Sequence, residues 1–99
     1  MDSTFLEIVV KTSDLTDAVP SRDAIEESLH EALTEAKLGE VTGGGAGSGV
    51  VTLDVEIWQE AHVQGALAVI RHVLRELKAP SSTLINRYTP KKISYTVTD

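Results

Sequence analysis

Val50-Val51-Thr52-Leu53-Asp54-Val55-Glu56-Ile57-Trp58 alternates without a break. Val51, Leu53, Val55 and Ile57 share one parity; Val50, Thr52, Asp54, Glu56 and Trp58 share the other. A period of two belongs to an extended strand, whose successive side chains point to opposite faces. One parity wholly apolar and one mixed predicts a strand with one buried face and one open face. The same pattern opens the chain at 5–11, with Leu6, Ile8 and Val10 against Phe5, Glu7, Val9 and Lys11. It returns near the end with Ile93, Tyr95 and Val97.

The stretches between these stripes have helical spacing. Ile25, Leu29, Ala32, Leu33 and Ala36 form one apolar stripe. Pro20-Ser21 opens that helix, with Ser21 as the N-cap, and Asp23, Glu26 and Glu27 suit its positive end. Gly39 is the expected helix stop. Val63, Ala66, Leu67, Ile70, Val73, Leu74 and Leu77 form the stripe of a second helix over 60–78, ended at Ala79-Pro80-Ser81-Ser82. Glu40-Val41-Thr42 reads as a short strand. Residues 83–98 hold two further β segments around the turn Thr89-Pro90-Lys91-Lys92, and there Leu84 and Ile85 compete for the inward position.

The order is β-α-β-β-α-β with an extra C-terminal strand. It predicts an α+β chain with two helices on one face of an antiparallel sheet, in the ferredoxin-like split βαβ arrangement. Ninety-nine residues, 41% hydrophobic, fit one domain over 1–99. A formal net charge of −6 argues against nucleic acid, which needs a basic stripe. No apolar run reaches the roughly 18 residues of a membrane span, and Met1-Asp2-Ser3-Thr4 begins no basic leader, so a cytoplasmic protein with no membrane role is expected.

With no cysteine, disulfides, thiolate zinc sites and cysteine nucleophiles are excluded. His30, His62 and His72 lack i, i+4 partners, so no metal and no cofactor are expected. Gly43-Gly44-Gly45-Ala46-Gly47-Ser48-Gly49 lacks the Lys-Ser or Lys-Thr of a phosphate loop, and a strand rather than a helix follows it. It reads as a flexible hairpin or a strand with glycine bulges, or as a loop that lets a partner approach closely. Arg71, Arg75 and Lys78 suit a helix C-terminus, and Lys91-Lys92 an edge hairpin.

The open parities hold the candidate site. If the first and third strands are neighbours, Glu7, Asp54 and Glu56 share a face with Phe5, Val9 and Trp58. Carboxylates among apolar and aromatic groups suit a basic protein patch, with Trp58 as anchor and Gly45 and Gly47 in the adapting loop. Self-association through this face would equally cover Phe5, Val9 and Trp58.

The run Leu38-Gly39-Glu40-Val41-Thr42 into Gly43–Gly49 is followed by a strand, the helix Ala66–Leu77 and the break at Pro80. Over 38–87 it resembles a group of small bacterial ferredoxin-like proteins, some of which resemble immunity proteins that neutralise a cognate toxin. The resemblance brings no catalytic residue. It implies a small non-enzymatic binding protein whose partner would be a basic toxin domain. Two rival expectations stand beside it. One is a homodimer pairing open faces into a barrel around a small-molecule pocket, as small cofactor-independent monooxygenases do. The other is an amino-acid-sensing domain using Asp14, Thr16 and Asp17.

Overall fold

In the computed structural model, which describes residues 3–14, 22–88 and 92–97, the chain runs as five strands and two helices. These are β1 (Thr4–Lys11), α1 (Arg22–Glu35), β2 (Gly39–Gly47), β3 (Val50–Ile57), α2 (Val63–Glu76), β4 (Leu84–Arg87) and β5 (Ile93–Thr96). Short 3-10 turns occupy Thr12–Asp14 and Glu60–His62. One sheet takes all five strands in the order β2-β3-β1-β4-β5, every neighbour antiparallel.

The apolar parities meet as alternation requires. Leu6, Ile8 and Val10 of β1 and Leu53, Val55 and Ile57 of β3 join Ile85 and Val97 in one buried cluster. Ile25, Leu29 and Leu33 of α1 and Val63, Ala66, Leu67, Ile70 and Leu74 of α2 complete it. Both helices therefore lie on the same side of the sheet. Fully burying an aliphatic side chain of this kind contributes about 1.5–3 kcal/mol, so this layer holds the sheet against the helices. Val73 and Leu77 pack on the cluster half-buried, whereas Ala36 lies beyond the end of α1 and is exposed.

Three local readings change, and one left open is decided. Gly39 does not stop α1. The stop is Lys37, in the left-handed region at φ 58°, with Lys37 N–H bonded to Thr34 O (3.1 Å) and Leu38 N–H to Leu33 O (3.0 Å). That paired pattern is a Schellman cap, closed by Leu38 packing back on the core. Lys78 ends α2 in the same way at φ 60°, with Lys78 N–H to Arg75 O and Ala79 N–H to Leu74 O. Gly39 instead opens β2, where a Cβ would sit 2.1 Å from the Glu56 carbonyl oxygen.

The second strand is not the short Glu40-Val41-Thr42. It continues through the glycines to Gly47, with a register shift between Val41 and Gly43. Glycine weakens strands, but here pairing along the whole of β3 carries β2 on. Ser48 (φ 52°) and Gly49 (φ 80°) then make a two-residue turn with both central residues left-handed, as the twist of a tight hairpin demands.

The second helix begins at Val63 rather than at Glu60, since 60–62 is a 3-10 turn. Ile85 is the inward residue of its pair and Leu84 the outward one. Pro20, Ser21, Thr16, Asp17 and Thr89-Pro90-Lys91 lie outside the described residues.

Candidate functional site

The register places the open-face residues in rows across the sheet. Glu40, Glu56 and Phe5 make one row, since β3 pairs Glu56 with both of the others. Gly43, Asp54, Glu7, Asn86 and Ser94 make the next. Gly45, Thr52, Val9, Leu84 and Thr96 follow, then Gly47, Val50 and Lys11. Phe5, Glu7, Val9, Asp54 and Glu56 are thus brought together, with Gly45 and Gly47 on the same face toward the β2–β3 turn.

Trp58 follows β3, and its indole Nε1–H donates to Glu40 Oε2 at 3.1 Å. Its backbone N–H donates to Leu38 O, which fixes it at the end of the β2–β3 pair. Among the described residues, four large apolar or aromatic side chains stand exposed, and all belong to this face: Phe5 (55%), Tyr88 (47%), Trp58 (38%) and Leu84 (38%).

Two pairs of like charges face each other directly. Glu7 is opposite Asp54, and Glu40 is opposite Glu56. Directly opposed side chains in an antiparallel pair have Cβ atoms roughly 4.5–5.5 Å apart, and like charges there are destabilising. Among the described residues no lysine or arginine forms an ion pair with any of the four. Relief comes instead from aromatic donors. Trp58 serves Glu40, and the Tyr88 hydroxyl donates to Glu7 Oε1 at 2.6 Å.

Behind Tyr88 stands a short polar chain. Asn86 Nδ2 lies 3.5 Å from the Tyr88 oxygen, and Ser94 Oγ donates to Asn86 Oδ1 at 2.7 Å. The bond to Glu7 pushes the Tyr88 hydroxyl above its ordinary value, since ionising it would forfeit that bond beside a carboxylate. Lys92 Nζ approaches the Tyr88 ring at 5.8 Å from the centroid.

Two shallow concavities mark the face. One of about 240 Å³ is lined by Phe5, Leu6, Glu7, Thr42, Asp54 and Tyr88. The other, of about 360 Å³, lies over Gly45, Ala46, Gly47, Ser48, Val50 and Thr52. The first falls below the ≈ 300–1,000 Å³ of clefts that enclose small ligands, and suits one or two side chains of a larger partner.

Tyr88, Asn86, Leu84, Glu40 and Thr42 belong to this face, and strand alternation alone did not find them. The signal for the first two was parity: with Ile85 inward, Leu84, Asn86 and Tyr88 must turn outward together. The histidines lie elsewhere. His30 is on α1, where its Nδ1 accepts the Val41 N–H at 3.2 Å. His62 is exposed in the turn before α2, and His72 lies 3.8 Å from Glu76. Asp14, in the 3-10 turn after β1, accepts a hydrogen bond from Ser82 Oγ. Among the described residues no cluster of three His, Asp or Glu could hold a metal ion. No helix among them is long and apolar enough to cross a membrane.

No protein-family model, curated protein or solved structure matches this chain.

Proposed function

We propose that this chain is a non-catalytic, cytoplasmic protein-binding module of ferredoxin-like topology that docks a basic protein through its open sheet face. Immunity-type neutralisation of a cationic toxin domain is its specific form. The topology rests on the element order together with the strand sequence β2-β3-β1-β4, a split βαβ unit to which β5 adds an edge.

The observation that carries the function is the doubled like-charge pairing, Glu7 against Asp54 and Glu40 against Glu56, set among Phe5, Trp58 and Tyr88. A fold gains nothing from opposing carboxylates across neighbouring strands. A cationic partner turns that cost into attraction, which speeds encounter and excludes acidic competitors. Exposed aromatics beside the charges supply the apolar anchors that interfaces concentrate in a few residues.

Affinity capture from lysate of the source cell, run in parallel with Asp54→Lys/Glu56→Lys, is the test. Far-UV circular dichroism establishes that the variant is folded. Basic proteins retained by the parent and lost by the folded variant support the reading. Identical retained sets overturn it.

A further inference from the structure

From the outer edge of β2 we infer a second recognition element: an extended, lysine- or arginine-bearing segment of the partner adds to the sheet as a sixth strand. This rests on the docking function above and specifies how the partner binds. β2 is an edge strand, and over 43–47 it reads Gly-Gly-Gly-Ala-Gly. Gly47 and Val50 close the two-residue turn as a bonded pair, so the alternation of an antiparallel ladder turns the N–H and C=O of Gly44 and Ala46 outward. Among the described residues nothing accepts from those two N–H groups. Further up the same edge, His30 covers the Val41 N–H.

Proteins ordinarily blunt such an edge with lysine, proline or brevity. β5 follows that rule, being four residues long and preceded by Lys92. β2 is nine residues long and has neither lysine nor proline.

Two open-face glycines have no structural requirement behind them: a Cβ on Gly43 would meet nothing closer than 3.9 Å, and on Gly45 nothing closer than 4.0 Å. Gly47, at φ 155°, holds a backbone conformation that side chains rarely adopt. Gly44 differs: a Cβ there would strike the Thr52 carbonyl oxygen at 2.3 Å and Arg22, whose guanidinium pairs with Asp23 and Glu26.

Bare positions at 43 and 45 have a physical consequence. Neighbouring strands lie about 4.8 Å apart, so the next strand but one is roughly twice as far. A long cationic side chain on an added strand could lean across the glycines to Asp54, with Glu40 beside it on β2. A second copy of this chain would instead bring its own Glu40 and Asp54 to the same junction. Charge therefore selects a basic segment over self-pairing.

The test uses the full chain and a seven-residue peptide alternating lysine and valine, alongside the same peptide N-methylated at alternate residues. Trp58 emission reads affinity, and amide hydrogen exchange reads Gly44 and Ala46. The expected result is saturable binding that weakens with added salt, slowed exchange at both amides, and at least about tenfold weaker binding of the N-methylated peptide. Ala46→Pro, on the outward side where an edge strand tolerates proline, should abolish the protection while leaving circular dichroism unchanged. If that variant fails to fold, the N-methylated peptide still decides.

Equal binding of both peptides, with Gly44 and Ala46 exchanging as before, overturns strand addition and leaves face docking intact. Absence of binding by either peptide also overturns it, while docking stands or falls on the capture experiment. Protection that appears without peptide and grows with protein concentration overturns the choice of a basic segment in favour of a second copy.

Discussion

The Tyr88 hydroxyl reaches across from the end of β4 to donate a 2.6 Å hydrogen bond to Glu7 of β1. It ties the sheet's centre to a residue just past the last residue of β4, and among the described residues it is the only side-chain donor to either carboxylate of the Glu7–Asp54 pair.

Tyrosine ionisation should report this bond. Tyr88 is pushed above the ordinary 10.0, first by its bond to Glu7. A folded value above the unfolded one means the native state holds its proton longer. The associated stability is complete below about pH 10 and is lost as pH rises through the raised folded value. Absorbance titration in a Tyr95→Phe background isolates Tyr88. Glu7→Gln should move its midpoint down and weaken the alkaline fall in urea midpoint. A midpoint unmoved by Glu7→Gln would detach Tyr88 from Glu7.

Relieving either like-charge pair should stabilise the fold. Asp54→Asn and Glu56→Gln are each expected to raise unfolding free energy by about 0.2–1 kcal/mol, the range for cross-strand pairs. Because the groups are exposed or half-exposed, the gain should shrink between low salt and about 0.5 M salt. Urea melts at the two ionic strengths measure it. Loss of stability at low salt would show that the carboxylates support the sheet rather than burden it.

Glycines of β2 should separate into two classes under alanine substitution. Gly39→Ala places a Cβ 2.1 Å from the Glu56 carbonyl and should cost about 2 kcal/mol or more, or prevent folding. Gly45→Ala meets only Thr52 Oγ1, at 4.0 Å, and should stay within about 0.5 kcal/mol of the parent or gain slightly. Thermal melts compare them directly. Equal losses at both positions would mean the strand needs glycine everywhere.

Alternation is enough to choose the buried parities of β1 and β3, because a one-residue slip would turn Leu6, Ile8, Leu53, Val55 and their neighbours out to water together. Helical spacing likewise identifies the residues that α1 and α2 bury. What composition does not convey is conformation without side-chain signal. Five residues with almost no side chains read equally as a flexible hairpin, a strand with glycine bulges or a partner loop, and it is the ladder to β3 that holds them extended. Lysine gives no warning of a left-handed cap, since the bonds back to Leu33 and Leu74 and the packing of Leu38 and Ala79 offset the strain. Tyr88 escapes because two adjacent apolar residues, Leu84 and Ile85, leave the phase of β4 open.

The chain enters β1 at Thr4, directly opposite Ile57, so it comes in at the Phe5 and Trp58 end of the carboxylate face. Anything attached ahead of that point is delivered to the same neighbourhood. If the face docks a basic partner as proposed, a cationic affinity label there would act as a tethered competitor at high local concentration. Labels joined after β5, whose Thr96 sits opposite Leu84 toward the other end of the sheet, leave that approach clear.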